Sequence, residues 1–251
     1  MYAAVTGASS GLGMEMAKVL AELGFDLILT ARRKERLERL AYAIHKKFGV
    51  DAVPMQFDLS REEDCLAFHR ACLPYDVRVL INNAGSGRAG AFEEIPLEEE
   101  TAMLKTNVMG MHILLKCFVQ TMKSGYILNV ASMAAFQECP MMAAYGATKA
   151  YVCQLSGAVG YELKRRKRPI HVAALCPGPV DTEFHIAAGV SSPLPGMTAK
   201  ECARKAIYGL FRGKDRIIPG FSNRLLRFAS WLMPRRLILP VEYRIQSRKK
   251  R

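Results

Sequence analysis

A tyrosine and a lysine four residues apart, Tyr145 and Lys149, are the residues of this sequence best suited to chemistry. On a helix, residues with this spacing share one face, with Cβ atoms roughly 6 Å apart. Because a nearby ammonium favours the phenolate, Lys149 is expected to lower the pKa of Tyr145 from its usual value of about 10. Such a phenol can act as a general acid or base. Ser132, thirteen residues upstream, could hold a carbonyl oxygen for the proton that Tyr145 delivers.

The same spacing occurs a second time, at Tyr42 and Lys46. That pair lies in an early amphipathic segment with no serine set behind it, and we interpret it as solvated helix surface. The spacing is therefore weak evidence by itself. The case for Tyr145 depends on the elements that position it.

Apolar runs of strand length alternate with helical patterns through most of the chain. This alternation is typical of a parallel sheet covered by helices on both faces, and we predict an α/β fold in a single domain. The predicted strands are Tyr2–Thr6, Phe25–Thr30, Ala52–Gln56, Val77–Ile81, Tyr126–Ala131 and Ile170–Leu175. The predicted helices are Leu12–Leu23, Lys34–Lys47, Arg61–Leu73 with Ser60 as its cap, a stretch around Leu97–Met122, and Ala144–Lys167.

A glycine-rich turn, Thr6–Gly13, follows the first strand and opens the first helix. Glycines there allow a tight turn and let the backbone approach a pyrophosphate, which the N–H groups at the helix start attract. This position favours a dinucleotide site, in a doubly wound sheet of the Rossmann type, over a purely structural turn.

The end of the second strand indicates which nicotinamide cofactor is bound. NAD sites usually carry an Asp or Glu there, whereas this chain has Arg32 and Arg33. Guanidinium groups can pair with a 2′-phosphate, so NADP(H) is favoured over NAD(H), with Arg32 as the expected contact. The alternative is that Arg33 and Lys34 are merely the polar start of a helix.

From Val5 to about Thr182, the order of these motifs resembles the short-chain dehydrogenase/reductase family. Within that family, the chain is most similar to the branch that includes the bacterial DltE-like reductases and the hydroxysteroid dehydrogenases. The resemblance implies the catalytic residues Asn107, Ser132, Tyr145 and Lys149. It implies the cofactor-binding residues Gly7, Ser9, Ser10, Gly11, Leu12, Gly13, Arg32, Arg33, Asp58, Leu59, Asn82, Ala84, Gly85, Tyr145, Lys149, Pro177, Gly178, Val180 and Thr182.

The resemblance also assigns roles to these residues. Asp58 would bind the adenine amino group, and Asn82 and Ala84 would line the adenosine. Asn107 would hold a water in a local helix distortion that links Lys149 to solvent. The roles at the nicotinamide follow the chain order: Pro177 and Gly178 would form its floor, and Val180 and Thr182 would contact its carboxamide.

The implied reaction is hydride transfer between NADP(H) and a carbonyl carbon, with reduction favoured in the cytosol. The apolar loop at about 181–200, with Pro193, Pro195 and Gly196 as a lid, suits a hydrophobic ketone such as a steroid or fatty-acyl compound. The alternatives are a 3-oxoacyl thioester reductase and a non-catalytic NADP-binding regulator on the same fold.

Residues 1–220 are predicted to form this domain, and residues 221–251 a basic amphipathic tail. Ser222 can cap a tail helix in which Leu225, Phe228 and Leu232 share one stripe. The tail could pack over the pocket or a neighbouring subunit, or lie on an anionic membrane surface. The third alternative is that its end, Arg248–Arg251, is a solvated, frayed terminus.

The net charge of +13 belongs to this end of the chain. Residues 204–251 hold 14 Lys and Arg against Asp215 and Glu242. No aromatic platform accompanies the charge, so we expect no nucleic-acid binding. The long apolar run Val108–Val119 predicts a buried helix, at the interface of a homodimer or homotetramer or within the domain.

The remaining composition predicts a cytoplasmic protein. The seven cysteines form no Cys-x-x-Cys pair, which favours reduced core thiols. The five histidines show no metal-ligand spacing, and we predict no structural metal. No uncharged apolar run reaches the roughly 18 residues that span a bilayer, and the N-terminus does not resemble a signal peptide.

Overall fold

The computed structural model describes residues 1–190 and 196–248. Its strands are β1 (Tyr2–Thr6), β2 (Asp26–Ala31), β3 (Ala52–Gln56), β4 (Val77–Asn82), β5 (Gly125–Val130), β6 (Ile170–Leu175), β7 (Val180–Asp181), β8 (Met197–Thr198) and β9 (Arg216–Ile217). Its α-helices are α1 (Gly11–Glu22), α2 (Lys34–Phe48), α3 (Glu62–Cys72), α4 (Leu97–Leu104), α5 (Met111–Thr121), α6 (Ala143–Arg165), α7 (Glu183–Ala187), α8 (Ala199–Phe211), α9 (Phe221–Leu232) and α10 (Arg235–Arg248).

Seven of these strands form one parallel sheet in the order β3-β2-β1-β4-β5-β6-β9. Because β1 pairs with both β2 and β4, the order of the strands reverses beside β1. In open α/β sheets, ligands bind at the carboxyl ends of the strands near such a reversal. The predicted doubly wound, single-domain fold of the Rossmann type is confirmed.

Helices cover both faces of the sheet. On one face, α1, α2 and α8 bury apolar side chains against the strands; on the other face, α3, α5 and α6 do so. These side chains recur every three or four residues along each helix, so they lie on its inner face. Examples are Leu20, Leu37 and Ile207 on the first face and Phe68, Leu114 and Val152 on the second.

Two helix caps predicted from the sequence are wrong. Arg61 precedes α3, and no side chain in the described part of the chain caps that helix. The Ser60 hydroxyl instead donates to Asp58 Oδ1 at 2.8 Å, within the loop after β3. Likewise, α9 begins directly after Gly220, whose φ of 88° is accessible to glycine. Ser222 therefore lies inside the first turn of α9 and does not cap it.

The sheet ends in β9, a strand that the sequence pattern did not predict. It pairs with β6 through only two residues, Arg216 and Ile217, which is too short for a periodic pattern. Pro193 and Pro195 of the predicted lid, and residues 249–251 of the predicted frayed terminus, lie outside the described residues. None of the helices in the described part of the chain is long and apolar enough to cross a membrane.

Candidate active site

Tyr145 lies in the first turn of α6 and is buried. Its ring packs against Phe184 of α7, with 5.6 Å between the ring centroids. Ser132, two residues after β5, lies near the Tyr145 phenol and acts to lower its pKa. The Ser132 oxygen also accepts the N–H of Ala134 at 3.2 Å, which fixes the hydroxyl at the start of a 3-10 turn, Met133–Phe136. The structure thus brings Ser132 and Tyr145 together at the carboxyl end of β5.

Lys149 lies one helical turn further along α6 and is also buried. Its Nζ is 5.7 Å from the centroid of the Tyr145 ring. The same atom donates to the carbonyl oxygen of Val130 at 2.9 Å, at the end of β5. Burial lowers the pKa of Lys149 to about 8, because a charged ammonium is poorly solvated there.

The expectation that Lys149 lowers the pKa of Tyr145 is wrong for this arrangement. Burial raises the pKa of Tyr145 to about 12, although the nearby Ser132 hydroxyl, as a hydrogen-bonding group, acts in the opposite direction. The physical reason is that the buried site disfavours a phenolate, while the ammonium hydrogen-bonds to Val130 and not to the phenol oxygen. Tyr145 is therefore protonated at neutral pH, as a proton donor must be.

Asn107 lies in a π-helical turn, Lys105–Gly110, between α4 and α5. Its Nδ2 donates to the carbonyl of Ser86 at 2.8 Å and to Thr148 Oγ1 at 3.2 Å. Thr148 Oγ1 in turn donates to the carbonyl of Tyr145 at 2.7 Å. The extra residue of the π turn is the kind of helix distortion expected at Asn107. The hydrogen bond from Asn107 to Thr148 connects this turn to α6, the helix that carries Tyr145.

Gly85 brings the backbone after β4 against the same group. A Cβ atom there would lie 2.9 Å from Asn107 Oδ1 and 3.5 Å from Lys149 Nζ. Gly87 similarly packs against the rings of Phe184 and Tyr145, where a Cβ would lie 2.6 Å and 3.2 Å from ring carbons. Side chains at these two glycines would therefore displace the residues that surround Tyr145.

The glycine turn after β1 is tied to the loop after β4. The Thr6 hydroxyl accepts the N–H groups of Asn83 and Ala84 at 2.8 and 2.9 Å. Gly7 has a φ of 64°, which glycine adopts without strain, and Gly13 packs directly on its carbonyl oxygen. Among the residues that the structure describes, no side chain caps the start of α1. The N–H groups of its first turn therefore point outward and fit a diphosphate.

Arg33, rather than Arg32, contacts the glycine turn. The Arg33 guanidinium donates to Ser10 Oγ at 2.8 Å and to Ser9 Oγ at 3.1 Å, and it pairs with Glu183 of α7 at 3.2 Å. Arg32 instead lines a separate cavity of about 300 Å³. Both arginines lie in the short connection between β2 and α2, where the regular alternation of strand side chains does not apply. No pattern in the sequence therefore separates the two arginines.

The other residues implied for adenosine binding are divided between the site and the core. Asp58 lines the same small cavity as Arg32, whereas Leu59 is buried behind it. The Asn82 amide donates into the protein, to the carbonyl of Met111 at 2.9 Å. Its neighbour Asn83, which sequence reasoning did not assign to the site, donates to the carbonyl of Thr6 at 2.9 Å.

The residues implied for the nicotinamide follow β6. The Pro177 carbonyl accepts the N–H of Met133 at 2.9 Å, next to Ser132. Val180 is buried in the small β7–β8 pair. Thr182 caps α7 and contacts Gly11 at the start of α1. This segment therefore connects Ser132 to the glycine turn.

The second tyrosine–lysine pair is on the surface, as predicted. Tyr42 is 70% exposed on the outer face of α2, and Lys46 is exposed beside it. The same spacing thus occurs in two environments, of which only one is enclosed.

Comparison with known proteins agrees with this geometry. The family model described as short chain dehydrogenase matches residues 1–189. Very-long-chain 3-oxoacyl-CoA reductase from Laccaria bicolor is 35% identical over 172 residues, which are 65% of this chain and 51% of that protein. Hydroxysteroid dehydrogenase-like protein 1 from Gallus gallus is 30% identical over 236 residues, which are 90% and 70% of the two chains. The chain spans about half the length of the 3-oxoacyl-CoA reductases that it matches.

Solved structures place the same fold around nicotinamide cofactors. A short-chain dehydrogenase from Sphingobium yanoikuyae in complex with NADPH has a TM-score of 0.82 and 32% identity, with 92% of each chain covered. A Burkholderia phymatum protein in complex with NAD has a TM-score of 0.83 with 90% and 91% covered, but at 23% identity it shows the fold alone. With its reversal of strand order beside β1, its glycine turn, and Ser132, Tyr145 and Lys149 around one enclosed site, the chain belongs to the short-chain dehydrogenase/reductase family of oxidoreductases.

Proposed function

We propose that the protein is an NADP(H)-dependent oxidoreductase that interconverts a ketone and a secondary alcohol on a hydrophobic substrate. The observation that carries this proposal is the enclosure of Ser132, Tyr145 and Lys149 at the carboxyl end of β5, beside the glycine turn. A phenol held protonated in that position is suited to deliver a proton to a carbonyl oxygen.

The proton chemistry belongs to the chain's own residues. When bound, the nicotinamide supplies a hydride to the carbonyl carbon or removes one from the alcohol. Tyr145 donates its phenolic proton to the oxygen, and Ser132 hydrogen-bonds to that oxygen and stabilises its negative charge. The ammonium of Lys149 then stabilises the phenolate until it regains a proton from solvent along a relay that Asn107 helps to position. Alcohol oxidation follows the same steps in reverse.

The proposed cofactor site combines the glycine turn with three strand ends. The first turn of α1 would hold the diphosphate. The side chains of Ser9, Ser10, Arg32 and Arg33 would hold the 2′-phosphate. Asp58 fits the adenine, and Ala84 and Gly85 fit the ribose that adjoins it. Nicotinamide contacts are proposed for Lys149 and for the segment Pro177–Thr182. The two arginines favour NADP(H), since no carboxylate occupies the end of β2.

Replacing Arg33 by alanine is expected to weaken the binding of NADPH far more than that of NADH. Hydrogen bonds to charged groups contribute about 1.5–3 kcal/mol, so the KM for NADPH should rise roughly tenfold to a hundredfold while that for NADH changes less than about threefold. Arg32→Ala is expected to act in the same direction. Steady-state kinetics with both cofactors measures the ratio. Arg39→Ala, on the exposed face of α2, is the matched control. Equal losses for both cofactors would remove the case for NADP(H).

An apolar cluster around Tyr145 supports a hydrophobic substrate. Met142, Ala188 and Val190 are buried with Tyr145, and Phe184 packs against them. Such a wall offers little to a polar substrate and stabilises an apolar one by burial. The relatives named as 3-oxoacyl-CoA reductases favour a 3-oxoacyl thioester as the second candidate substrate class. A non-catalytic regulator is not favoured, because such a protein has no need for the enclosed Ser132, Tyr145 and Lys149 group.

Replacing Phe184 by alanine should raise the KM for a bulky apolar ketone about tenfold, because the substrate loses the apolar surface of that ring. A small ketone should be affected less than about threefold. NADPH oxidation with steroid, 3-ketoacyl thioester and aromatic ketone substrates tests this and identifies the best substrate class. Ile186→Ala, on the same helix and 83% exposed, is the control. If both variants behave alike with every substrate, Phe184 does not line the substrate site.

Quaternary structure and location extend the proposal. The surface formed by α6 and the π-helical turn before α5, with Tyr151 37% exposed and Met109 53% exposed, fits a homodimer or homotetramer interface. The tail helices expose Phe221, Leu225 and Leu232 next to several arginines, which favours peripheral contact of a cytoplasmic protein with an anionic membrane. Sedimentation with anionic vesicles, with and without residues 221–251, tests the contact. Equal binding of both proteins would contradict it.

A further inference from the structure

A cavity of about 990 Å³ lies between α8, β9 and α9, and neither Tyr145, Ser132 nor Lys149 lines it. Its described lining is strongly basic and includes no carboxylate. Five of its cationic side chains make no ion pair with any described residue. These are Arg212, Lys214, Arg216, Arg224 and Arg227.

The other two cationic side chains of the lining, Arg204 and Lys205, do form ion pairs. Arg204 pairs with Glu22 at 2.7 Å, and Lys205 pairs with Glu201 at 2.5 Å. Among the described residues, carboxylates pair with cations at the α8 side of the cavity and not at the β9 and α9 side. Clefts lined by one sign of charge focus the electric field and concentrate counter-ions. The β9 and α9 side of the cavity is thus a site for anions.

Two of these five guanidinium or ammonium groups, those of Arg216 and Arg227, lie against one aromatic ring. The Cζ atoms of Arg227 and Arg216 are 4.6 and 5.4 Å from the centroid of Phe136. Cation–π contacts at exposed sites contribute only about 0.5–1 kcal/mol each, and like charges held close together repel. Arg224 joins them from α9, where its Nε donates to the carbonyl of Ile218 at 3.1 Å. An anion bound in the cavity that these groups line would offset their repulsion.

The class of anion is indicated by three properties of the cavity: its arginines, its volume and its aromatic rings. Guanidinium groups match phosphate oxygens with paired hydrogen bonds. The volume lies at the upper end of the roughly 300–1,000 Å³ typical of ligand pockets, well above that needed for an inorganic ion. Tyr208 and Phe221, respectively 41% and 80% exposed, also line the cavity and offer faces on which a planar base can stack.

We propose that this cavity binds a soluble organic phosphate of nucleotide size, with its phosphates held by Arg216, Arg224 and Arg227. The proposal goes beyond the oxidoreductase function, since none of the residues assigned to the hydride and proton steps lines the cavity. An anionic lipid headgroup presents the same phosphate chemistry from a membrane. The experiment therefore includes one soluble and one membrane source of phosphate.

The test uses the full chain saturated with NADPH, so that the proposed cofactor site is filled. Calorimetric titration with adenosine 3′,5′-bisphosphate should show saturable binding of one molecule per chain that weakens as salt is added. In Arg216→Gln/Arg227→Gln, the dissociation constant should rise at least tenfold. Arg165→Gln/Arg166→Gln removes two exposed charges at the end of α6, outside the cavity, and should change it less than twofold. No saturable binding, or equal weakening in both variants, would overturn the proposal.

A second variant addresses folding, and a vesicle arm addresses the source of phosphate. Arg212→Gln/Lys214→Gln changes exposed residues of the same cavity and should also weaken the binding of the bisphosphate. Its thermal stability and its affinity for NADPH should be unchanged. If the protein bound phosphatidylglycerol vesicles through these arginines but not the soluble bisphosphate, the ligand would be a headgroup and the proposal would be wrong. Ketone reduction is measured separately, so its absence would count against the proposed function and not against this site.

Discussion

Replacing Tyr145 by phenylalanine is expected to lower kcat for ketone reduction by about 10²- to 10⁴-fold, the usual contribution of a positioned general acid. The phenol is buried, lies near Ser132 and is held protonated by its environment. Phenylalanine keeps the ring contact with Phe184 but has no proton to deliver. The affinity for NADPH should therefore change less than about threefold, and the free energy of unfolding by no more than about 1.5 kcal/mol.

The matched control lies in the same chain. Tyr42→Phe makes the same chemical change in the same Tyr-x-x-x-Lys spacing, but on a residue that is 70% exposed. It should retain wild-type kcat and KM. Steady-state NADPH oxidation with the best ketone compares the two variants, and cofactor titration shows whether each still binds NADPH. If Tyr145→Phe kept more than about a tenth of the wild-type kcat, another group would have to supply the proton.

Ser132→Ala removes the second hydrogen bond to the substrate oxygen and leaves the acid in place. It is therefore a partial version of the same experiment. Loss of one such donor costs about 10²- to 10³-fold in kcat in other enzymes. A loss no greater than that in Tyr145→Phe would fit the separate roles of hydrogen-bond donor and proton donor.

The fold was accessible from the sequence because its signals are local. Strands such as Tyr2–Thr6 and Ala52–Gln56 are apolar runs bounded by turn residues, and the structure has them at those bounds. β9 was missed, since a two-residue strand is defined by its pairing with β6 and not by a pattern of its own. Long-range pairing of this kind leaves no periodic trace in the chain.

The candidate site shows the same division. Helical spacing predicted that Tyr145 and Lys149 lie together, but spacing carries no information on burial. Burial determines the direction of the pKa shift of Tyr145, and it reverses the expectation. Likewise, Arg32 and Arg33 are equivalent as residue types. Only the direction of each side chain at the end of β2 brings Arg33 to the serines of the glycine turn.

Lys149 is expected to set the alkaline limit of the reaction. Its protonated form is the charged one, and burial lowers its pKa to about 8. The ammonium is therefore present below about pH 8 and is lost as the pH rises above it, so kcat should fall about tenfold per pH unit well above that value. The phenol cannot cause this fall, because the pKa of Tyr145 is raised to about 12.

Two replacements of Lys149 separate its charge from its shape. Lys149→Met removes the ammonium, and we expect kcat to fall roughly 10²- to 10⁴-fold, because the phenolate formed on Tyr145 loses its stabilising cation. The residual activity should no longer decline near pH 8. Lys149→Arg keeps a charge that is not lost below about pH 12. Its kcat should be low because the larger guanidinium must displace the groups that surround the buried Lys149 side chain, but it too should lack the decline.

Lys46→Met is the control, since it removes the exposed lysine of the second tyrosine–lysine pair. It should keep both the wild-type rate and the decline near pH 8. Profiles of kcat against pH for the wild type and the three variants carry the test. A decline that survived in Lys149→Met would assign the alkaline limit to a different group. The ammonium of Lys149 would then act only in binding, because a group that supports proton transfer must leave its own titration in the rate.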